Sequence, residues 1–175
     1  MKLFYNCLSP PARAVKICLI HAKVEHETQN VDLMAGEHKG ADFVAINPAH
    51  CVPTIQVSEF FFELLVLFEK DDDFVLWESR AILNYVANKF TDAGLLPTCP
   101  MARAKVDYML NWDLGTFYHA LTQVAGPKLG FIKTAVDMDK AEADLHETLS
   151  FLENHIIKVC LVFPQNPLNR DLKSP

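Results

Sequence analysis

Three stretches of the chain carry residue types that could bind a ligand or activate one. The first is Asn47-Pro48-Ala49-His50-Cys51-Val52-Pro53-Thr54. Asn-Pro opens a turn, and Pro53 lacks the N–H that a continuous helix or a central strand would use. A Val-Pro step ahead of β-branched Thr54 reads as a loop entering a strand, at the one kind of peptide bond where a cis form costs little. A cis Val52–Pro53 bond would turn the Val52 N–H and C=O outward, where an extended peptide could pair with them. The second stretch is Ser9-Pro10-Pro11, with Ser as a helix cap and Pro in the first turn. Helix N-termini favour anions, so the Ser9 hydroxyl could serve a ligand instead of the backbone. The third is Glu78-Ser79-Arg80, a helix start with a carboxylate and a hydroxyl beside free backbone N–H groups. That set suits a zwitterionic amino-acid end, the N–H groups and Ser79 taking its carboxylate and Glu78 its ammonium. Each stretch also has a plainer reading: a proline-rich turn, an N-cap worth about 1 kcal/mol, a capped helix with exposed charge. On the residues alone the plainer reading is favoured at each stretch.

The elements that must position these groups follow in a regular order. Leu3-Phe4-Tyr5 reads as a short buried strand, and a helix runs from Ser9 through Val15, Cys18 and Leu19 to about Ala22. Glu27 to Asp32 can form a second strand. Gly36 to Gly40 is a loop, and Asp42 to Ile46 a short helix ended by Asn47-Pro48. Thr54-Ile55-Gln56 and Phe74-Val75-Leu76 read as a third and a fourth strand. A helix then opens at Glu78, with Ala81, Ile82, Tyr85, Val86 and Phe90 at helical spacing. The order β-α-β-α-β-β-α favours a sheet with helices packed on it. Thr91 to Pro100, dense in turn residues, reads as a linker. Beyond it, Met101 to Val124 and Lys140 to Ile157 carry apolar residues at three- and four-residue spacings, which predicts two helices.

Composition narrows the class. The chain has 175 residues, half of them hydrophobic, enough for one sizeable core or two small domains. A formal net charge of −6 disfavours nucleic acid or an anionic membrane as main partner. Five widely spaced cysteines without a C-x-x-C read as reduced thiols, and seven histidines without H-x-x-x-H spacing point to no metal. The start is too short an apolar run for a signal peptide, and Phe60 to Phe68 is too short to span a bilayer. The expectation is a soluble, cytoplasmic protein.

Two stretches break the pattern. Residues 57–73 place a hydrophobic, non-amphipathic segment where a hairpin needs only a few residues, and residues 159–175 form an irregular tail with three prolines. Both begin at a Val, whose codons open with GT, so a retained intron at each place is one reading. A lineage-specific extension and a tail is the other. Sequencing the spliced transcript separates them.

Taken in order, Leu8-Ser9-Pro10-Pro11-Ala12-Arg13-Ala14-Val15, Asp32-Leu33-Met34-Ala35-Gly36-Glu37-His38, Asn47 to Thr54 and Leu76-Trp77-Glu78-Ser79-Arg80-Ala81-Ile82 resemble cytosolic glutathione S-transferases, closest to the theta-like insect delta and epsilon classes. Trp112-Asp113-Leu114-Gly115-Thr116-Phe117-Tyr118 is similar to the corresponding delta-class segment. The resemblance covers about residues 1–56 and 74–157. It implies a thioredoxin-like, α/β N-terminal domain (1–90, with the insertion at about 57–73) and an all-α C-terminal domain (98–158), as a homodimer.

The activity the resemblance implies is conjugation of reduced glutathione to hydrophobic electrophiles, a detoxification chemistry with glutathione as co-substrate and no further cofactor. Ser9 is then the catalytic residue, its hydroxyl stabilising the glutathione thiolate. Glu78, Ser79 and Arg80 form the γ-glutamyl pocket. Val52, flanked by Cys51 and Pro53, pairs with the cysteinyl unit, and His38 and His50 lie near the glycine carboxylate. Trp112, Phe117 and Tyr118 are candidates for the electrophile pocket, although aromatics at helical spacing are more often core. Arg13 is expected to support the site through an ion pair, and Cys7, which precedes the helix start, to be structural. Family members continue past Glu153 with a capping box that this chain does not match, so the helical domain is expected to be truncated. The rival expectation is an inactive truncated relative, acting as a glutathione-binding or protein-interaction module.

Overall fold

Strand β1 (Lys2–Tyr5) buries Leu3 on one face of a sheet and Phe4 on the other, as the two-residue period of a strand requires. The computed structural model to which it belongs describes residues 1–57, 74–133 and 135–157. The expected insertion, apart from Val57, and the expected tail lie outside the described residues. The chain divides into two units, Met1–Leu96 and Pro97–Pro175.

In the first unit β1 pairs in parallel with β2 (Glu27–Asn30) and antiparallel with β3 (Thr54–Val57), which pairs antiparallel with β4 (Phe74–Trp77). The sheet order is β2-β1-β3-β4. The parallel β1–β2 pair needs a crossover, supplied by α1 (Pro10–His21). Leu3, Ile55 and Val57 pack with Val15 and Leu19 of α1 and with Ile82 and Val86 of α3 (Ser79–Lys89). On the opposite face Phe4 packs with Val31 and with Phe43 of the short helix α2 (Ala41–Ile46), the two rings edge to face with centroids 5.6 Å apart. Burying one such aliphatic side chain is worth about 1.5–3 kcal/mol, so these two clusters hold the layers together. The result is a thioredoxin-like unit, a four-stranded mixed sheet with α1 and α3 on one face and α2 on the other.

Local chemistry sets the boundaries. Strand β2 stops at Asn30, two residues earlier than the sequence suggests, because the Asp32 carboxylate accepts from the Met34 and Ala35 N–H groups at 2.9 and 3.0 Å and turns the chain. The expected loop at Gly36–Gly40 contains a 3₁₀ turn, Glu37–Lys39, and the Glu37 carboxylate accepts from the Asp32 N–H at 2.7 Å.

The described residues of the second unit form helices. Helix α4 (Pro100–Trp112) continues through a π turn, Asp113–Phe117, into α5 (Tyr118–Lys128). The expected single α-helix is therefore interrupted by one wider turn. Residues five apart diverge on an α-helix, whereas a π turn brings them together, and Trp112 stacks on Phe117 at 5.9 Å. Gly130, at φ +78°, ends α5: the Phe131 N–H reaches the Gly126 C=O at 2.9 Å and the Gly130 N–H the Pro127 C=O at 3.2 Å. Helix α6 (Met138–Phe151) is capped by Asp137, whose carboxylate accepts from the Lys140 N–H, and it too runs into a π turn, Leu152–Ile157. Among the described residues no helix is long and apolar enough to cross a membrane.

Candidate active site

The sheet register decides which loops meet. Phe4 lies opposite Thr54, Thr54 opposite Trp77, and Tyr5 beside Asn30. The ends of β1, β2 and β4 and the start of β3 therefore share one end of the sheet. The segments leaving or entering there carry Ser9, His38, His50 to Pro53, and Glu78 to Arg80. Residues far apart in sequence thus meet at one end of the first unit.

Ser9 caps α1 in an extended conformation, its Oγ accepting from the Ala12 N–H at 3.3 Å. A hydroxyl has one proton to donate and two lone pairs, so this long cap bond leaves the Ser9 O–H available to an anion at the helix start. The Ser9 N–H donates to the Asn6 C=O at 3.1 Å. Arg13 corrects an expectation. Its guanidinium donates to the Cys7 C=O at 3.3 Å and forms no ion pair among the described residues. Helical side chains lean toward the N-terminus, and the group that Arg13 meets there is a main-chain carbonyl.

The Val52–Pro53 bond is cis. Among the described residues the N–H and C=O of Val52 take part in no hydrogen bond, and β3 pairing begins at Thr54. The loop is shaped by Asn47, which is fully buried. Its amide donates to the Cys51 C=O at 3.1 Å and to Thr54 Oγ1 at 2.8 Å, and its Oδ1 accepts from the Ala49 N–H at 2.9 Å. Thr54, also fully buried, donates its hydroxyl to the same Cys51 C=O at 2.8 Å. Cys51 is half-buried, with its Sγ 3.5 Å from the Asn47 amide nitrogen.

His50 closes the Asn47 turn at φ +44°, its N–H on the Asn47 C=O at 2.9 Å. The ring lies 6.4 Å from that of His38. His38 is half-buried, and its enclosed Nδ1 has no hydrogen-bond partner among the described residues. Burial, then the neighbouring Lys39 and His50, lowers its pKa below the ordinary histidine value. Its neutral form is therefore favoured more than in an ordinary histidine.

Glu78 precedes α3 at φ +69°, a backbone region that residues with a Cβ rarely adopt, and its side chain is exposed with no cap bond. Ser79 is buried and accepts from the Arg80 guanidinium at 2.7 Å, so these two side chains are joined at the helix start.

The family model described as glutathione S-transferase, N-terminal domain, matches residues 8–89, the span that contains Ser9, His38, His50 to Pro53 and Glu78 to Arg80. The first unit is a glutathione S-transferase N-terminal domain. Over 153 residues the chain is 35% identical to glutathione S-transferase D7 of Anopheles gambiae, covering 86% of this chain and 62% of the relative. Over 137 residues it is 36% identical to glutathione S-transferase 1 of Manduca sexta, covering 77% and 57%. Among solved structures, the glutathione transferase BmGSTD1 of Bombyx mori superposes with a TM-score of 0.70 at 34% identity, covering 86% of this chain and 63% of that one. The chain thus spans about three fifths of the length of these curated relatives.

Outside the transferase domain, Trp112 and Phe117 meet each other, and Trp112 lies 5.5 Å from Phe151 of α6. This is a packed aromatic set within the helical unit; Tyr118, half-buried, starts α5. Sequence reasoning missed Asn6, Thr54 and the shaping role of Asn47. The available signal was an Asn or Thr beside each turn, but their partners lie up to 25 residues away.

Proposed function

We propose that the chain is a glutathione transferase, joining reduced glutathione to hydrophobic electrophiles in the cytoplasm, as a detoxification enzyme and a homodimer. The observation that carries this reading is the gathering, at one sheet end, of the Ser9 hydroxyl, the Val52 main chain, which has no hydrogen-bond partner among the described residues, and the start of α3. The tripeptide's γ-glutamyl end is assigned to Glu78, Ser79 and the first N–H groups of α3, with Arg80 holding Ser79. Its cysteinyl main chain pairs with Val52, flanked by Cys51 and Pro53, as an added strand. Its glycine carboxylate faces His38 and His50. The thiol then lies at the head of α1, where Ser9 donates its O–H to sulfur and favours the thiolate.

The thiolate attacks the electrophilic carbon. A C–S bond forms, and the leaving group departs with its electron pair, or a proton is taken up where the reaction is an addition. Contacts with the apolar electrophile are assigned to Trp112, Phe117 and Tyr118. That curated relatives at 35% and 36% identity are named glutathione S-transferases supports the reading.

Thermal unfolding with and without millimolar glutathione tests it. A ligand at 100 times its Kd that binds only the folded state adds about 2.7 kcal/mol, so the melting temperature should rise by several degrees. Conjugation of an activated aryl halide should follow. No rise would overturn the proposal, and a rise without turnover would mark a glutathione-binding protein instead.

A further inference from the structure

We infer that Asn6 is a positioning residue for Ser9, an assignment that rests on the proposed role of Ser9. The parallel β1–β2 ladder reaches a rung at which the Val31 N–H donates to the Tyr5 C=O at 2.8 Å. Continued in register, the next rung would take the Cys7 N–H to the Val31 C=O. The Asn6 side chain takes that place, its Nδ2 donating to the Val31 C=O at 2.8 Å. The main chain is thereby released from the sheet one residue after Tyr5 and turns toward α1.

The same side chain also shapes the turn. Asn6 Oδ1 accepts from the Leu8 N–H at 2.9 Å, and the Asn6 C=O accepts from the Ser9 N–H at 3.1 Å. Asn6 is buried, with 7% of its surface exposed. One amide therefore closes the β2 end of the sheet and fixes the two residues that lead into the cap. The Ser9 Oγ is only three bonds from an N–H held in this way, so the direction of its O–H depends on the turn. A hydroxyl aimed a few tenths of an ångström off sulfur still permits glutathione to bind, but stabilises the thiolate less.

The test is the pKa of the bound glutathione thiol, read from thiolate absorbance against pH, in the full chain. Asn6→Ala should raise it by about one unit, a tenfold lower ratio of thiolate to thiol, with the KM for glutathione held within about threefold. In a Ser9→Ala background the same substitution should leave the thiol pKa unmoved. Asn6→Gln, which keeps both polar groups on a longer arm that cannot reach Val31 and Leu8 together, should act in the same direction and serves if the alanine variant does not fold. A pKa that moves equally with and without Ser9, or that stays constant while KM alone rises, overturns the assignment. If Ser9→Ala by itself leaves the thiol pKa unchanged, the role of Ser9 fails and the inference with it. If Ser9→Ala moves the pKa and neither Asn6 variant does, the inference alone fails.

Discussion

Asn47 donates to Thr54 Oγ1 at 2.8 Å, and neither side chain has any surface in contact with solvent. The pair joins the end of α2 to the start of β3, and both residues bond the Cys51 carbonyl between them. The loop that presents Val52 is thus held from the inside.

Replacing Asn47 with Ala removes the donors to Cys51 and Thr54 and the acceptor for Ala49. Leaving a buried polar group unmatched costs about 1–3 kcal/mol, so Asn47→Ala should destabilise the first unit by at least about 2 kcal/mol. Thr54→Val, which keeps the shape and loses only the hydroxyl, should cost less. Urea unfolding checks the order. Equal midpoints for Asn47→Ala and the parent chain would show that the network does not hold the loop.

Glu78 makes a different kind of prediction. Its φ of +69° stores backbone strain of about 1–3 kcal/mol, which glycine relieves. Glu78→Gly should therefore keep or raise stability in urea while weakening glutathione binding about tenfold or more through loss of a charged contact. Calorimetric titration and unfolding on one preparation test both halves. A variant that loses stability and keeps its affinity would contradict the assignment.

His38 links the site to pH. Its lowered pKa means that the unfolded chain takes up a proton first as pH falls through the ordinary histidine value. Its contribution to stability is therefore intact above that value and declines below it. A bound carboxylate would reverse the preference, because it favours the charged ring. S-methylglutathione, which has no thiol to titrate, should bind more tightly as pH falls from 7.5 to about 6, near the ordinary histidine pKa. His38→Gln should flatten that dependence; an unchanged slope would remove His38 from the carboxylate site.

Much of this was legible in the sequence because it is local. Ser9 with Pro10 and Pro11 announces a helix start, and Asn47-Pro48 announces the turn that His50 closes. The Val52–Pro53 step was legible for the same reason. What was hidden depends on partners remote in the chain. Asn6 gives no sign of its role until Val31 is found 25 residues away, and nothing in a list of residues places the His38 ring near that of His50. The π turn at Asp113–Phe117 was hidden for another reason: a three- and four-residue apolar spacing survives one wider turn with little change. Arg13 shows the converse, a charged residue whose partner is the backbone.

The most direct measurement is the pKa of the thiol of bound glutathione in the parent chain and in Ser9→Ala. A free thiol titrates near about 8.5, and the account predicts a value at least about one unit lower in the parent chain. Ser9→Ala should return it to the free value, with a loss of about 1 kcal/mol of helix capping as the only other effect. A thiol that titrates at the same pH in both proteins would contradict the account at its centre.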